Sequence, residues 1–330
     1  MEFNIVVVRK QGLRGYIGLK RLIKKSKTFN MKRNGSKMFE KCELCGFKCS
    51  INRNEKLGAC KCGTLPKLAL VSKHMWEEPC ISGENGSGTI FFSGCNLSCE
   101  FCQNYKISQE NFGKEISVDR LANIFIEQQE RGVNNINLVS PTPYVPLIIE
   151  ALKIAKQRGL TIPIIYNTNG YDSIETIRML NGYVDVYLPD LKYFDEDIAI
   201  KYSKCKNYFK TATESIKEMY KQVGLPEFDE NGLIKKGLII RHLILPGNVM
   251  QTKKILHWIK NDLSKDVYIS IMAQYFPTYK AKEDKIINRK ITLNEYNRVV
   301  NMLDDFENGY IQELGEHEEE YVPKFDLSNI

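Results

Sequence analysis

Short apolar runs and helix-like apolar stripes alternate along the chain from Thr89 onward. Six runs have the length of buried β-strands, at residues 89–92, 136–139, 162–166, 184–188, 238–245 and 267–273. Among and after them, apolar residues recur at helical spacing, at Val118, Leu121, Ala122 and Phe125, at Ile148, Ala151, Leu152 and Ala155, through 252–263, and at Tyr296, Val299, Val300 and Leu303. This alternation predicts an α/β fold with parallel strands and right-handed crossovers. The pattern leaves two architectures open, an open doubly wound sheet and an incomplete barrel.

Polar or turn-forming clusters follow all six predicted strands. A cysteine loop follows the first, and the others lead into Ser140-Pro141-Thr142-Pro143, Asn167-Thr168-Asn169-Gly170, Pro189-Asp190-Leu191-Lys192, Pro246-Gly247-Asn248 and Gln274-Tyr275-Phe276-Pro277. Parallel α/β folds build their sites at the carboxyl ends of the strands. Ordinary loop composition accounts for any one cluster, but six clusters at one rim predict a functional site there.

The cysteine loop is the strongest chemical signal in the chain. Cys95, Cys99 and Cys102 have the spacing C-x3-C-x2-C directly after the first predicted strand. Gly94 can take the positive φ that starts a loop wrapping back on itself. Thiolates suit zinc or an iron–sulfur cluster, and three protein ligands would leave one iron of a [4Fe–4S] cubane open. The alternatives are a zinc knuckle and three unrelated buried thiols.

A second group of cysteines precedes the first predicted strand. The stretch around it is rich in Lys, Asn and Gly and lacks long apolar runs, so a metal would have to replace a core. The natural set of four ligands is Cys42, Cys45, Cys49 and Cys60. Zinc and a second iron–sulfur cluster both fit four thiolates, and the spacing does not separate them. Cys62 is a spare ligand, and Cys80 is a candidate for lining the main site.

The positive charge is confined to one end of the chain. Residues 1–38 carry eleven Lys and Arg against one Glu, and the remainder carries 36 basic and 39 acidic residues, so the net +7 divides into +10 and −3. We therefore expect a basic N-terminal extension at 1–40, with a candidate edge strand at 3–8. A cysteine-rich metal-binding segment and linker at 41–85, a core domain at 86–308 and an acidic C-terminal tail at 309–330 complete the predicted organisation.

The sequence also gives expectations about the compartment of the protein. No run approaches the roughly 18 uncharged apolar residues of a membrane span, and an acidic Glu2 stands ahead of the first apolar run, unlike a signal peptide. We therefore expect a cytoplasmic protein without a membrane partner. Nine of the ten cysteines lie between Cys42 and Cys102, which in a long cytosolic chain favours metal ligation over disulfides.

Four motifs together carry a resemblance to a known family. They are Gly94-Cys95-Asn96-Leu97-x-Cys99-x-Phe101-Cys102-Gln103-Asn104-Tyr105, Asn167-Thr168-Asn169-Gly170, Asp190-Leu191-Lys192 and Arg241-His242-Leu243-Ile244-Leu245-Pro246-Gly247. The sequence resembles the pyruvate formate-lyase activating enzymes of the radical S-adenosylmethionine (AdoMet) superfamily, in the branch with an N-terminal cysteine segment. The resemblance covers about residues 42–305 and implies a partial (β/α)6 barrel, similar to a TIM barrel, with the cysteine segment before it.

The resemblance also implies roles for individual residues. Cys95, Cys99 and Cys102 are expected to bind the [4Fe–4S] cluster, and Phe101 to pack beside the adenine of AdoMet. The family's Gly-Gly-Glu-type loop is Ser140-Pro141-Thr142 here, which makes Thr142 a candidate AdoMet ligand. The other candidate AdoMet contacts are Asn167, Asn169, Asp190, Lys192 and Arg241. Activating enzymes with extra clusters carry those cysteines after the signature, whereas here they precede it.

The reaction implied by the resemblance is reductive cleavage of AdoMet to a 5′-deoxyadenosyl radical, with electrons from a flavodoxin- or ferredoxin-type donor. The radical would abstract hydrogen from a glycyl residue of a partner protein. A second hypothesis keeps the radical chemistry but gives it a small molecule or another macromolecule as substrate. A third hypothesis, from another class, is a zinc-dependent module whose basic extension binds nucleic acid. The radical chemistry does not require nucleic acid as a partner. The sequence does not reveal the substrate.

Overall fold

Six parallel strands lie side by side in the order in which they occur along the chain. In the computed structural model, which describes residues 5–7, 34–315 and 322–330, one mixed sheet contains every strand. The strands are β1 Ile5–Val7, β2 Lys67–His74, β3 Ser87–Phe92, β4 Lys114–Glu115, β5 Ile136–Val139, β6 Ile164–Thr168, β7 Val186–Pro189, β8 Glu227–Phe228, β9 Ile234–Leu243, β10 Tyr268–Met272 and β11 Gly309–Gln312. The main path through the sheet is β1-β11-β10-β9-β7-β6-β5-β3-β2-β4, and β8 pairs with β9.

The helices connect and flank these strands. They are α1 Asn34–Glu40, α2 Pro79–Ser82, α3 Tyr105–Ser108, α4 Val118–Glu130, α5 Val145–Gln157, α6 Ile174–Met179, α7 Glu196–Ser203, α8 Tyr208–Val223, α9 Val249–Trp258 and α10 Leu293–Val300. None of the helices in the part of the chain that the structure describes is long and apolar enough to cross a membrane.

The strand order decides between the two predicted architectures. Strands β3, β5, β6, β7, β9 and β10 are parallel neighbours without a reversal of order. Right-handed crossovers in a sheet without a reversal place their helices on the same face. A twisted sheet covered in this way curls around its other face, and the predicted partial (β/α)6 barrel is confirmed.

Local sequence signals set several of the element ends. Ser117 begins α4, where its side chain accepts a hydrogen bond from the backbone nitrogen of Arg120. Thr292 and Glu295 form a capping box at the start of α10. The predicted strand 162–166 begins later, at Ile164, because Pro163 has no N–H to offer a ladder. The predicted helix 252–263 is α9, which continues as a π-helical turn at Ile259–Leu263.

Three strands lie outside the predicted core of 86–308. β2 pairs antiparallel with β3, although its residues were assigned to the metal-binding segment and linker. β11 pairs in parallel with β10, so the sheet continues into the predicted acidic tail. β1 pairs antiparallel with β11, as expected of an edge strand near the N-terminus. The rest of the predicted basic extension up to residue 33, and residues 316–321 of the tail, lie outside the described residues.

The barrel interior is filled from one side by α2. Cys80 and Ile81 of this helix pack against Ile165, Val186 and Ile239, which come from three barrel strands. A much larger apolar cluster lies between the strands and the helices. Because α2 occupies the interior, the segment just before it, Trp76 to Glu78, also lies inside the barrel.

Candidate active site

A cavity of about 290 Å³ lies at the carboxyl ends of the barrel strands, and we call it the first cavity. Seven residues that the sequence analysis selected line it: Cys99, Phe101, Cys102, Asn167, Asp190, Lys192 and Arg241. They come from the cysteine loop and from the ends of β6, β7 and β9. The fold thus gathers residues up to about 140 positions apart in the chain at one rim, as expected for parallel strands.

The cysteine loop wraps back through backbone hydrogen bonds to a neighbouring helix. The backbone nitrogens of Ser98 and Glu100 donate to the carbonyls of Ser203 and Tyr202, at the end of α7. The loop begins at Gly94, whose φ is +83°. A Cβ at this position would lie 2.2 Å from the sulfur of Cys62 and 2.7 Å from the carbonyl oxygen of Cys60. Only glycine fits both the backbone angle and the space.

Each cysteine sulfur of the loop has a polar neighbour. Cys95 Sγ accepts from the Nδ2 of Asn169 at 3.3 Å and from a backbone nitrogen at 3.4 Å. Cys99 Sγ lies 2.9 Å from Ser203 Oγ, and Cys102 Sγ lies 3.2 Å from Ser108 Oγ. Burial raises the pKa of all three thiols, to about 11 for Cys102. The charges of Cys99 and Cys102 add to the rise at Cys95, so the three sulfurs are electrostatic neighbours.

A buried charge network forms the opposite wall of the first cavity. Arg241 donates to Asp190 Oδ1 from Nε at 3.1 Å, to Asn167 Oδ1 from Nη2 at 2.6 Å and to Glu77 Oε2 from Nη1 at 3.2 Å. Lys192 Nζ donates to Asp190 Oδ2 at 2.6 Å. Glu77 also accepts from the Nδ2 of Asn137 at 2.9 Å. The network spans four barrel strands, β5, β6, β7 and β9, and the segment that enters the interior.

Opposite charges favour the ionised forms of Asp190 and Lys192 in this network. Burial alone would raise the pKa of Asp190, but Lys192 and Arg241 outweigh it and hold that pKa below its usual value. Burial would lower the pKa of Lys192, but Asp190 and the Cys99 thiol raise it. For Glu77, burial outweighs the attraction of Arg241, and its pKa is raised. The wall therefore offers fixed positive groups next to carboxylates, an arrangement suited to a zwitterionic ligand.

Two predicted AdoMet contacts lie apart from the first cavity. Thr142 is buried, and its hydroxyl donates to Asp172 Oδ1 at 2.8 Å. Asn169 contacts the sulfur of Cys95 and also donates to Asn96 Oδ1 at 2.7 Å. Asn169 is therefore placed to orient a cluster ligand, and the structure does not bring Thr142 to this cavity.

The second group of cysteines lines a separate small cavity. Its walls include Cys42, Cys45, Cys49 and Cys60, together with Arg53, Asn96 and Thr142. Cys62 points elsewhere, and its sulfur lies 3.7 Å from the carbonyl oxygen of Ser93. Cys80 packs in the barrel interior and lines neither cavity. The four cysteines chosen from the sequence thus line one cavity.

Within residues 34–315 and 322–330, no three His, Cys, Asp or Glu side chains are gathered closely enough to hold one metal ion. Thiolates around a single zinc ion all lie about 2.3 Å from it. In a cubane each thiolate binds a different iron, so the sulfurs stand further apart. The spacing of the sulfurs is therefore not that of a preformed mononuclear site.

Comparison with known proteins identifies the superfamily. The sequence profile of the Radical SAM superfamily matches residues 89–259, just over half of the chain. The chain belongs to the radical SAM superfamily. It is an enzyme of the radical SAM oxidoreductase kind, whose cofactors are a [4Fe–4S] cluster and AdoMet. The alternative of a zinc-dependent nucleic-acid-binding module leaves this match unexplained.

Two relatives describe the extent of the sequence similarity. The chain is 33% identical over 280 residues to the uncharacterized protein MJ0674 of Methanocaldococcus jannaschii, which covers 82% of this chain and 76% of that protein. It is 26% identical over 126 residues to the pyruvate formate-lyase-activating enzyme of Clostridium pasteurianum, which covers 36% of this chain and 50% of that enzyme. The second match is partial, so membership of the activating-enzyme branch stays a prediction.

Two solved structures are also similar to this chain. Streptococcus suis SuiB matches with a TM-score of 0.46 and 16% identity, over 67% of this chain and 47% of SuiB. The FeFe-hydrogenase maturase HydG from Carboxydothermus hydrogenoformans matches with a TM-score of 0.44 and 11% identity, over 66% of this chain and 50% of HydG. The chain spans about half the length of these two proteins.

The acidic pair Glu77 and Glu78 was not predicted from the sequence. Glu77 completes the charge network of the first cavity, and Glu78 is buried nearby. Both precede Pro79 in a stretch without helical or strand periodicity, which was assigned to a linker. No sequence signal marked the pair, because adjacent carboxylates are ordinary in a solvated segment.

Proposed function

We propose that Cys95, Cys99 and Cys102 bind the [4Fe–4S] cluster and that AdoMet occupies the first cavity beside it. One observation carries this proposal: Cys99 and Cys102 line the same cavity as Phe101 and the charge network around Arg241. The donor set fits a cluster, because three soft sulfurs each have a polar contact that can stabilise a thiolate. When bound, the cluster and AdoMet supply the one-electron cleavage that gives a 5′-deoxyadenosyl radical.

The residues around the first cavity have distinct tasks in this proposal. Lys192 and Arg241 hold the carboxylate of AdoMet, and Asp190 keeps both cations in place. Asn167 is fixed by Arg241 Nη2 and faces the ribose or methionyl part. Phe101, 6.0 Å from Tyr275 between ring centroids, offers an edge-on aromatic wall for the adenine. Thr142 is left out of this set because it lines the small cavity of the second cysteine group.

Electron paramagnetic resonance on the reduced, reconstituted protein tests the binding part of the proposal. Adding AdoMet should change the spectrum of the wild-type cluster. Cys99→Ala and Cys102→Ala should lose the cluster. Arg241→Lys should keep the cluster but require a higher AdoMet concentration for the same spectral change. A spectrum that AdoMet leaves unaltered in the wild type would contradict the proposal.

For the substrate, the proposal is a glycyl residue of a partner protein, with a flavodoxin- or ferredoxin-type electron donor. The support is the partial similarity to the Clostridium pasteurianum activating enzyme and the motifs shared with that group. The protein incubated with AdoMet, reductant and a candidate partner should give a glycyl-radical signal on the partner. Replacing the partner's glycine with alanine should remove the signal, and a signal that persists would place the radical elsewhere.

A small-molecule substrate is the second candidate. It is favoured by a cavity of about 580 Å³ that shares part of its wall with the first one. This volume is typical of sites for small ligands. Turnover of a small molecule without any partner protein would decide in its favour.

We further propose that Cys42, Cys45, Cys49 and Cys60 hold a second metal centre. Arg53 supports this, because its guanidinium is buried and its partners are carbonyl oxygens of Cys62, Gly63 and Pro143 and the sulfur of Cys42. A buried cation needs a compensating negative charge. Four thiolates around a metal centre carry a net negative charge and would supply it.

Metal analysis tests the second centre and identifies its metal. Iron, sulfide and zinc are measured per chain in the anaerobically reconstituted protein. Cys45→Ala combined with Cys49→Ala should lower one metal and leave the cluster of the cysteine loop. Cys205→Ala, at a buried thiol that lines neither cavity, is the control. Equal metal content in the wild type and the double variant would contradict the second centre.

A further inference from the structure

The larger cavity beside the first one, which we call the second cavity, lies between the segment 75–83 and the strands β9, β10 and β11. Trp76, Glu77, Arg241, Met272 and Gln274 line both cavities. The rest of its wall comes from the segment before and within α2 and from β10 and β11: Met75, Glu78, Pro79, Ser82, Gly83, Ser270, Tyr310 and Gln312. Because the walls are shared, an occupant of the second cavity would lie next to an occupant of the first.

Glu78 is the residue of the second cavity whose hydrogen-bonding capacity is unfilled. It is 7% exposed, and it lines the cavity together with Ser270. Its Oε2 is buried and has no hydrogen-bond partner among the described residues. A buried polar atom left unpaired destabilises the fold. A ligand that donates a hydrogen bond to Oε2 would offset this cost.

The charges around Glu78 favour a positively charged donor. Glu77 and Glu78 bring two carboxyl groups to the second cavity, and Arg241 brings one guanidinium. Arg241 is already engaged by Glu77, Asp190 and Asn167 in the first cavity. Burial raises the pKa of Glu78, and Arg241 only partly opposes this rise. A cation that donates to its unpaired oxygen would favour the ionised carboxylate.

The remaining walls describe the body of such a ligand. Met75, Pro79, Met272 and Tyr310 present apolar or aromatic groups to the cavity, and Trp76 adds a ring that also reaches the first cavity. Apolar walls with one fixed polar group are typical of small-ligand sites. Aromatic faces also attract cations.

We propose that the second cavity binds the substrate, a small molecule whose ammonium or guanidinium group donates to Glu78 Oε2 while its apolar body lies against Trp76 and Met272. This proposal takes up the second candidate, a small-molecule substrate, in place of a glycyl residue. It rests on the proposed function in that a radical formed in the first cavity would act on the molecule bound in the second. The second cavity itself can be tested without turnover.

Calorimetry with two matched probes tests this proposal. Benzylamine, a cation at neutral pH, and benzyl alcohol, its neutral counterpart, are titrated into the reconstituted holoprotein with AdoMet present. We expect the wild type to bind benzylamine at least about tenfold more tightly, a difference of about 1.4 kcal/mol. Glu78→Gln should remove this preference, and Glu78→Asp should keep part of it. Glu214→Gln, at an exposed carboxyl on α8, should keep all of it.

Equal affinities for the two probes in the wild type, or a preference for benzylamine that survives Glu78→Gln, would overturn the proposal. If Glu78→Gln does not fold, Met272→Lys tests the same cavity, because an added cation should weaken benzylamine binding far more than benzyl alcohol binding. A Met272→Lys protein with the wild-type preference would also overturn it. A wild-type cluster whose spectrum ignores AdoMet would instead count against the proposed function, so the two failures are distinguishable.

Discussion

Arg241 and Asp190 lie opposite each other on neighbouring parallel segments, and Arg241 Nε donates to Asp190 Oδ1 at 3.1 Å. This contact joins the ends of β7 and β9. The other nitrogens of the same guanidinium reach Asn167 at the end of β6 and Glu77 in the chain that enters the barrel. One side chain therefore ties together three strands and the segment inside them, and its substitution should affect both folding and the first cavity.

Arg241→Met is expected to destabilise the protein by about 3–5 kcal/mol, because buried Glu77 would lose its ion-pair partner and Asp190 would keep only Lys192. Denaturant unfolding measures this loss. Arg178→Met, at a largely exposed arginine 3.6 Å from Glu218, is the control and should change stability by about 0.5 kcal/mol or less. A loss below about 1 kcal/mol for Arg241→Met would contradict the role given to this network.

Gly94→Ala should be far more harmful than an alanine at a glycine of similar φ elsewhere. The added Cβ would meet Cys62 and Cys60 at 2.2 and 2.7 Å. At Gly132, with φ +75°, a Cβ would find nothing within 4 Å. Gly132→Ala should therefore cost only the roughly 1–2 kcal/mol of the left-handed conformation. Gly94→Ala should lose more stability and also iron content, measured by unfolding and by iron per chain; equal losses would show that the loop can adjust.

Ser203→Ala should lower the reduction potential of the cluster. The Ser203 hydroxyl lies 2.9 Å from Cys99 Sγ, and hydrogen bonds to ligand sulfurs stabilise the more negative, reduced state. A hydrogen bond that contributes about 1 kcal/mol net corresponds to a shift of roughly 40 mV in a one-electron reduction potential. A redox titration followed by electron paramagnetic resonance measures the shift. Ser87→Ala, at the opposite end of β3 from the cysteine loop, is the control. Equal reduction potentials in the wild type, Ser203→Ala and Ser87→Ala would contradict the hydrogen bond from Ser203 to Cys99.

Acid should remove a stabilising contribution from Glu295. Hydrogen bonds from Arg289, and further ones from Thr292 and Gly247, lower the pKa of this carboxyl from 4.5 to about 2. A lowered pKa means that the ionised form favours the fold, so the contribution is complete above about pH 4.5 and is lost as the pH falls toward 2.

Glu295→Gln should therefore destabilise the protein by about 1–2 kcal/mol at neutral pH. The gap to wild type should close as the pH falls toward 2. Unfolding curves between pH 7 and pH 2.5 measure it, with Glu214→Gln as the control that shows no gap at any pH. A gap that stays constant with pH would mean that packing, not charge, explains the loss.

Much of the fold could be predicted because the relevant signals are local. The six apolar runs bury both faces of their strands, as in residues 87–92 of β3, and the amphipathic stripes give the helices. β2 was missed because it lies among cysteine-rich, charged sequence and depends on β3 for its pairing. β11 has only four residues, next to an acidic stretch, and its place beside β10 is set by tertiary contacts.

The site could be predicted in part for the same reason. Cys99, Asn167, Asp190 and Arg241 stand at strand ends, and parallel strands bring their ends together. Thr142 also follows a strand, but its hydroxyl turns toward Asp172 and the second group of cysteines. Glu78 has no motif, and only the path of the chain into the barrel interior gives it a function. A residue's position at a strand end predicts that it lies near the rim of the barrel, whereas the direction of its side chain depends on packing.

Formation of 5′-deoxyadenosine is the most direct test of the central claim. Anaerobically reconstituted wild-type protein, incubated with AdoMet and a strong reductant, should form 5′-deoxyadenosine. Cys95→Ala, Cys99→Ala and Cys102→Ala should each abolish this product, while Cys205→Ala should form it at the wild-type rate. Full product formation by any of the first three variants would contradict the account.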